Sequence, residues 1–332
     1  MTNPGGTRST RARILDRQSE DSAAVVCIVA SVIRRGTYSI VARDAHTGEL
    51  GAAVQSHWFA VGPIVPWVRP GVGAVCTQSV AEKAFGPRLL DRLEAGEGPR
   101  EALDALLRAD PAGRFRQVAV IDGRGSVATH TGDGCIAFAG HSIGAGFSVQ
   151  ANMMASPEVW PAMRAAFEAT RPDEPLARRL LAALRGAEGA GGDVRGRQSA
   201  ALVVAPPSGE RWRTVTDVRV DDHPEPLDEL ERLLDLADAY ALATEGDDLT
   251  GEGRLSEAGV RYAAAAALAP GNHELLFWAG LAAYAAGDRD AGLAQVRGAI
   301  AAQPGWAELL PRLTAEISPV AGAVARDLGL TA

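Results

Sequence analysis

Cysteine is scarce in this chain. Three in 332 residues, Cys27, Cys76 and Cys135, form an odd set without CxxC or CxxxC spacing. That argues against a disulfide framework or a zinc knuckle, and for a reducing, cytoplasmic setting. Long hydrophobic runs are missing too. Residues 23–33 make a run of eleven apolar or small residues, against the ~20 that a membrane span requires, so no membrane association is expected. Asp16, Glu20 and Asp21 precede that run, and Ile33-Arg34-Arg35-Gly36 is a poor small-residue cleavage site, which weighs against a secretory signal. Basic excess is also lacking. The formal net charge is -8 and the pI ≈ 5.4, the wrong sign for a nucleic-acid-binding surface. The six histidines form neither HExxH nor HxH, so metal ligation, by His130, Asp133 and His141 for instance, has little support and no metal or cofactor is expected.

What is present is enough chain for two domains, with an apolar fraction of 47% and a charged fraction of 22%, ordinary for a soluble globular protein. Residues 1–36 read as a leader, disordered or removed, because the first 22 are polar without an apolar period; residues 23–33 are β-branched enough for a strand. From Thr37 the pattern turns to β. Residues 38–43 alternate, Asp44-Ala45-His46-Thr47-Gly48 is a turn, and residues 51–55 return as a hairpin. A strand at 73–77 follows a Pro/Gly-rich connection. Two helices come next, one carrying Phe85, Leu89, Leu90 and Leu93, the other opening at Pro99 and stopping at Asp110-Pro111. Strands resume at 117–121 and 126–130 around Asp122-Gly123-Arg124-Gly125, then at 135–138 and 146–151. Ser156 reads as the N-cap of a helix with Pro157 at its first position. Another helix near 176–184, a glycine-rich turn at 189–196, and strands at 200–204 and 212–220 complete the first domain.

The order strands, helix pair, strands, helix pair, strands, with tight hairpins, suits antiparallel pairing. The expected fold is α+β: a four-layer α-β-β-α sandwich over residues 37–222, followed by a small all-α helical-repeat domain over 227–330. In that second domain Pro270 and Pro304, Ala265 and Ala299, and Gly246 and Gly280 each lie 34 residues apart. Ala258 and Tyr262 align with Gly292 and Val296 on the same offset. The period resembles the tetratricopeptide repeat, a module that docks proteins. A protein partner or self-association through these helices is therefore expected.

Polar residues gather at strand ends. Thr37 opens the first strand after Gly36. Gln55, Ser56 and His57 end the second, Thr77 and Gln78 end the next, and Asn152 follows another. In the loop Gly191-Gly192-Asp193-Val194-Arg195-Gly196 the glycines let backbone N–H groups face a ligand, and Asp193 and Arg195 add a fixed charge pair; Gln198 and Ser199 follow. That loop matches neither GxGxxG nor GxxxxGK[ST]. Each element has a plainer alternative: a β-propensity residue at a strand start, polar capping of a loop mouth, a tight helix-to-strand connection. Cys76 reads as core by strand alternation, although a Cys76–His130 nucleophilic pair is a further possibility.

Several ordered stretches carry a resemblance. Residues 37–44 (Thr37-Tyr38-Ser39-Ile40-Val41-Ala42-Arg43-Asp44), 48–56, 59–62, 71–78 and 191–202 are together very similar to the family catalogued as domain of unknown function 1028, grouped with the N-terminal-nucleophile (Ntn) hydrolases. The resemblance implies the four-layer sandwich and hydrolysis of an amide bond in a small molecule or short peptide. Thr37 matches the start of the family motif, which makes it the expected nucleophile once residues 1–36 are gone. Its free α-amine, pKa roughly 7.7–8.0, would then serve as base. Asn152, at its strand end, could donate to an oxyanion through its amide, with a backbone N–H as the alternative donor, and in the hydrolase picture Asp193 lends catalytic support. Gln55, Ser56, His57, Thr77, Gln78, Arg195, Gln198 and Ser199 would frame the substrate. This chain departs from the family pattern in carrying 36 residues ahead of the motif, and Gly36, without a Cβ, is compatible with self-cleavage. The competing reading is a silent sandwich whose threonine stays capped, in a protein that works as a scaffold through its repeats.

Overall fold

The structure, a computed structural model, describes residues 36–330. The expected leader, except Gly36, and the expected strand at 23–33 lie outside the described residues. Among the described residues, ten strands make two fully antiparallel sheets. The first is ordered β10-β9-β2-β1-β8-β7 and the second β3-β4-β5-β6, where β1 is Thr37–Arg43, β2 Leu50–Ser56, β3 Pro66–Arg69, β4 Gly73–Ser79, β5 Arg116–Asp122, β6 Val127–Thr131, β7 Gly140–Gly144, β8 Phe147–Asn152, β9 Ser199–Ala205 and β10 Thr216–Val220.

Helices α1 (Phe85–Glu94) and α2 (Pro99–Ala109) cover the outer face of the second sheet, and α3 (Val159–Glu168) and α4 (Leu176–Gly189) cover that of the first. The four layers follow from strand alternation. Even-numbered β2 residues Leu50, Ala52 and Val54 meet Ala74, Cys76, Ala119 and Ile121 between the sheets, while Val75, Val118 and Val120 turn outward onto Leu89, Leu90 and Leu103 of α1 and α2. Close approach of α4 needs Gly51, where a Cβ would lie 2.6 Å from Leu180 Cδ1.

Local departures from the sequence reading have identifiable causes. Edge strands β3 and β7 carry no clear strand signal. One opens on Pro66 within a proline-rich stretch, a position tolerated at a sheet edge, and the other is bounded by Gly140 and Gly144. Residues 135–138 form no strand, and β10 begins only at Thr216. Helix α3 begins at Val159 rather than at Pro157; the Ser156 hydroxyl instead accepts from Glu158 N at 3.3 Å and donates to Ala190 O at 3.3 Å.

The chain divides into two compact units between Leu230 and Glu231. The second is helical: the continuation of α5 (Pro226–Gly251), then α6 (Leu255–Leu268), α7 (His273–Ala285), α8 (Arg289–Ala302), α9 (Gly305–Leu309) and α10 (Ala321–Asp327). One core gathers Ala239, Ala258, Tyr262 and Ala265, and another gathers Phe277, Leu281, Val296 and Ala299. Residues 34 apart in sequence make matching contacts. A Cβ at Gly246 would lie 3.0 Å from the Tyr262 ring, and one at Gly280 would lie 2.8 Å from Val296 Cγ2. No described helix is long and apolar enough to cross a membrane.

Candidate active site

The registers of β8, β1, β2 and β9 align four polar residues in one row. Asn152 pairs with Thr37, Thr37 with Ser56, and Ser56 with Ser199. Directly opposed residues share a face, so all four look into the space between the sheets. All four are buried.

At the centre of the row the carbonyl oxygen of Gly36 is surrounded by donors. Thr37 Oγ1 lies 2.6 Å from it, Ser56 Oγ 2.5 Å and Arg195 Nη2 3.0 Å. The two hydroxyl oxygens are 3.0 Å apart. Arg195 is aimed by Asp193: its Nη2 donates to Asp193 Oδ2 at 2.7 Å and its Nε to Oδ1 at 3.1 Å. The Asp193 carboxylate also accepts from the backbone N–H groups of Arg195 at 3.0 Å and His57 at 3.3 Å, and its own backbone bridges Met154. The positive φ of Gly191 (105°), Gly192 (54°) and Gly196 (102°) lets the chain turn tightly enough to bring both charges back to β1. A carbonyl held by two hydroxyls and a guanidinium is polarised, as acyl transfer requires of the group under attack.

Beneath this row lies a polar network that the sequence reveals only in part. Gln78 Nε2 donates to Thr37 O at 3.2 Å and to Gln117 Oε1 at 2.8 Å, and Gln78 Oε1 accepts from Ser39 at 2.6 Å. Gln150 Nε2 reaches Ser39 Oγ at 2.6 Å, and Gln117 Nε2 crosses to Ala151 O at 2.9 Å. Asn152 Nδ2 donates to Gln117 Oε1 at 2.9 Å and to Thr37 O at 3.4 Å. Asn152 therefore braces Thr37 from the carbonyl side, while Ser56 and Arg195 hold the donor positions at Gly36 O. Ser39, Gln117 and Gln150 are detectable in the sequence only as polar residues at inward positions of otherwise apolar strands.

Other candidates stand elsewhere. Gln55 neighbours Ser56 and so faces the helix layer, where both its amide atoms are buried without a protein partner. Thr77 neighbours Gln78 and likewise turns outward, its hydroxyl donating to Glu82 O at 3.2 Å. Strand alternation, which sends consecutive polar residues to opposite faces, accounts for both. Gln198 reaches Asp222 at 3.1 Å. Ser199 donates to Trp58 O at 2.5 Å and accepts from Val61 N at 3.1 Å, tying down the loop after β2. His57 lies at the rim, its Nδ1 3.3 Å from Arg197 O.

Behind Thr37, on the helix side, Tyr38 donates to Glu188 Oε2 at 2.5 Å. Burial, reinforced by Glu188, pushes the Tyr38 phenol well above its ordinary range and keeps it protonated. Glu188 also pairs with Arg197 at 3.1 Å. Ser79 (φ 68°) and Met153 (φ 60°), directly after Gln78 and Asn152, occupy the left-handed region, strain of the kind found at functional sites.

The Cys76–His130 pair does not form. Burial pushes the Cys76 thiol up to about 12, its Sγ lies 3.6 Å from Ile40 O, and His130 Nε2 lies 3.0 Å from Gly113 O. His130, Asp133 and His141 do not converge either; Asp133 pairs with Arg114 and His141 contacts Thr131. Among the described residues no cluster of three His, Cys, Asp or Glu could hold a metal.

A model of the family of unknown function DUF1028 matches residues 37–230, a span that contains every residue of the row, Asp193 and Arg195. The chain belongs to that family. A crystal structure labelled with the same DUF1028 family model, protein SPO2555 from Silicibacter pomeroyi, is similar at 33% identity and a TM-score of 0.55, covering 60% of this chain and 88% of its own. Anbu (ancestral beta-subunit) from Yersinia bercovieri aligns at 13% identity and a TM-score of 0.32, over 59% of this chain and 91% of its own, too loosely to carry an argument. No curated protein matches the chain. The DUF1028 match ends at Leu230, where the first compact unit also ends.

Proposed function

We propose that this DUF1028 protein is an Ntn-type amidohydrolase whose nucleophile, Thr37, is released by cleavage of its own Gly36–Thr37 bond. The observation that carries the reading is the convergence of Thr37 Oγ1, Ser56 Oγ and Arg195 Nη2 on the Gly36 carbonyl. In the first step the Thr37 hydroxyl attacks that carbonyl carbon. The C–N bond breaks, the hydroxyl proton passes to the departing nitrogen, and an ester links Gly36 to Oγ1. Water then hydrolyses the ester, leaving a Gly36 carboxylate and a Thr37 with a free amine. Ser56 and Arg195 stabilise the oxyanion, and Asp193 fixes Arg195.

The same parts then serve an external amide. Thr37 Oγ1 attacks its carbonyl, the α-amine takes the hydroxyl proton and delivers it to the leaving amine, and water resolves the acyl-enzyme. Asn152 and Gln78 hold the Thr37 carbonyl and so the pitch of the nucleophile. The substrate is a small amide or short peptide, and the setting is cytoplasmic, consistent with the free thiols Cys76 and Cys135.

The helical unit is read as tetratricopeptide-like and as a dock for a protein partner or a second copy, supported by the matching Gly246–Tyr262 and Gly280–Val296 contacts. A catalytically silent scaffold remains the competing function. The test is amide-hydrolysis assay of wild type beside Thr37→Ala and Thr37→Ser, with the N-terminus of each determined. Activity confined to wild type and, weakly, to Thr37→Ser supports the enzyme; full activity in Thr37→Ala points to another nucleophile.

A further inference from the structure

The seat of Gly36 is walled. A Cβ added to Gly36 would lie 2.6 Å from Asp193 Oδ2, 2.8 Å from Oδ1 and 2.9 Å from Cγ. A flexible side chain would step aside from such a contact, but this one is pinned. Asp193 is 5% exposed, both its oxygens are held by Arg195 and by backbone N–H groups at 2.7 to 3.3 Å, and its backbone is bridged to Met154. Moving the carboxylate would also release Arg195 from the carbonyl that it polarises.

Past that wall the surface becomes apolar. Val194 N donates to Met153 O at 3.2 Å and Met153 N donates to Ile136 O at 2.9 Å, which lines up three segments beside the end of β8. Their side chains Ile136, Phe138 and Val194 are 41%, 46% and 62% exposed, large apolar groups brought to neighbouring segments and open to a ligand.

In the reaction proposed above Gly36 is the acyl donor. An external substrate presents its carbonyl to the same donors, so its α-carbon takes the place of the Gly36 α-carbon. We infer that the site is specific for amides of α-unbranched acyl groups, glycyl or straight-chain, bearing an apolar extension, and that it rejects acyl groups carrying an L-side α-substituent. Asp193 sets this selectivity at the α-carbon, and the shelf of Ile136, Phe138 and Val194 receives the extension. The inference rests on the reading of Thr37 as nucleophile.

The test uses the full-length protein, with its N-terminus checked by intact mass, and the 4-nitroanilides of acetylglycine, acetyl-L-alanine and octanoylglycine. One disfavoured methyl in a shaped pocket shifts kcat/KM by roughly 10–200-fold. Acetyl-L-alanine is expected to fall at least ~10-fold below acetylglycine, and octanoylglycine to exceed acetylglycine, with Val194→Asp erasing that advantage. Gly36→Ala should slow Gly36–Thr37 cleavage by a similar factor; the thermal melting curve of this variant reports whether it folds, and the anilide series on wild type does not depend on it. Equal kcat/KM for glycyl and L-alanyl substrates overturns the inference and leaves the nucleophile standing. No turnover of any anilide by protein that begins at Thr37 overturns the reading of the nucleophile, and this inference with it.

Discussion

The layer between the two sheets has two halves of opposite character, and β1 runs through both. At its far end Val41 packs with Leu50, Ala52, Val54, Ala74 and Ile121 in an apolar core, bordered on the β8 side by its register partner Ser148, which bonds Thr129 at 2.8 Å. At its near end Thr37 and Ser39 sit among Ser56, Gln78, Gln117, Gln150 and Asn152, equally buried but polar. A core made only for stability would carry the apolar pattern throughout, because buried amides and hydroxyls contribute little net stability even when satisfied and cost about 1–3 kcal/mol each when they are not. The near half is instead a scaffold that fixes one carbonyl and one hydroxyl. Under the function proposed above, fold stability and chemistry are separated by about four residues along one strand, and substitutions in the two halves should separate them too.

The largest contrast is expected from Thr37→Ala. Gly36–Thr37 cleavage and amide turnover should both drop by at least ~10³-fold, while the urea midpoint changes little; intact mass and single-turnover assays read the first, circular dichroism the second. Leu50→Ala does the reverse. Leu50 is fully buried in the apolar half, so the change should cost about 2–5 kcal/mol in urea unfolding, with the folded fraction still cleaving at the wild-type rate. Gln78→Ala falls between the two. It strips partners from Ser39, Gln117 and the Thr37 carbonyl, so stability should decrease by about 1–3 kcal/mol and cleavage should slow as well.

The smallest effect is on acid stability, and it comes from outside the layer. Burial raises the Asp44 carboxyl, but the N–H groups of Thr47 and His46 and the charge of Arg179 outweigh it and hold the pKa below the ordinary value; for Asp110, burial is outweighed by Arg116 and the Ala112 N–H. A depressed folded pKa stabilises the native state above the unfolded value of about 3.9, and that contribution is lost as pH falls from there through the folded value. Asp44→Asn should therefore flatten the acid limb of a stability–pH curve below about pH 5 without altering cleavage at neutral pH.

Much of this arrangement is legible in the amino-acid sequence. Two-residue periodicity and Asp/Gly turns locate the hairpins, and the paired helices between strand groups dictate four layers. Thr37, Ser56, Asn152, Asp193, Arg195 and Ser199 are visible as polar residues at strand ends and in one glycine-rich loop. The rest is tertiary. The edge strands β3 and β7 are too short and too rich in proline or glycine to register as strands. Consecutive polar residues such as Gln55 and Ser56 look alike in a sequence, yet a strand sends them to opposite faces, and only the register with β1 says which one meets Thr37. The bonds that tie Gln117 to Ala151 and Asn152, and Gln150 to Ser39, span 34 to 111 residues, distances over which no local pattern carries information. The Asn152 amide, expected to steady an oxyanion, donates to Gln117 and the Thr37 carbonyl, whereas Ser56 and Arg195 are donors at the Gly36 carbonyl.

The proposed function turns on the bond between Gly36 and Thr37. N-terminal sequencing together with intact mass of the purified full-length protein, followed through storage at neutral pH, reads its state directly. The predicted result is accumulation of a chain beginning at Thr37, blocked by Thr37→Ala and slowed by removal of Ser56 or Arg195. A chain that keeps Gly36 joined to Thr37 indefinitely and hydrolyses no amide would contradict it.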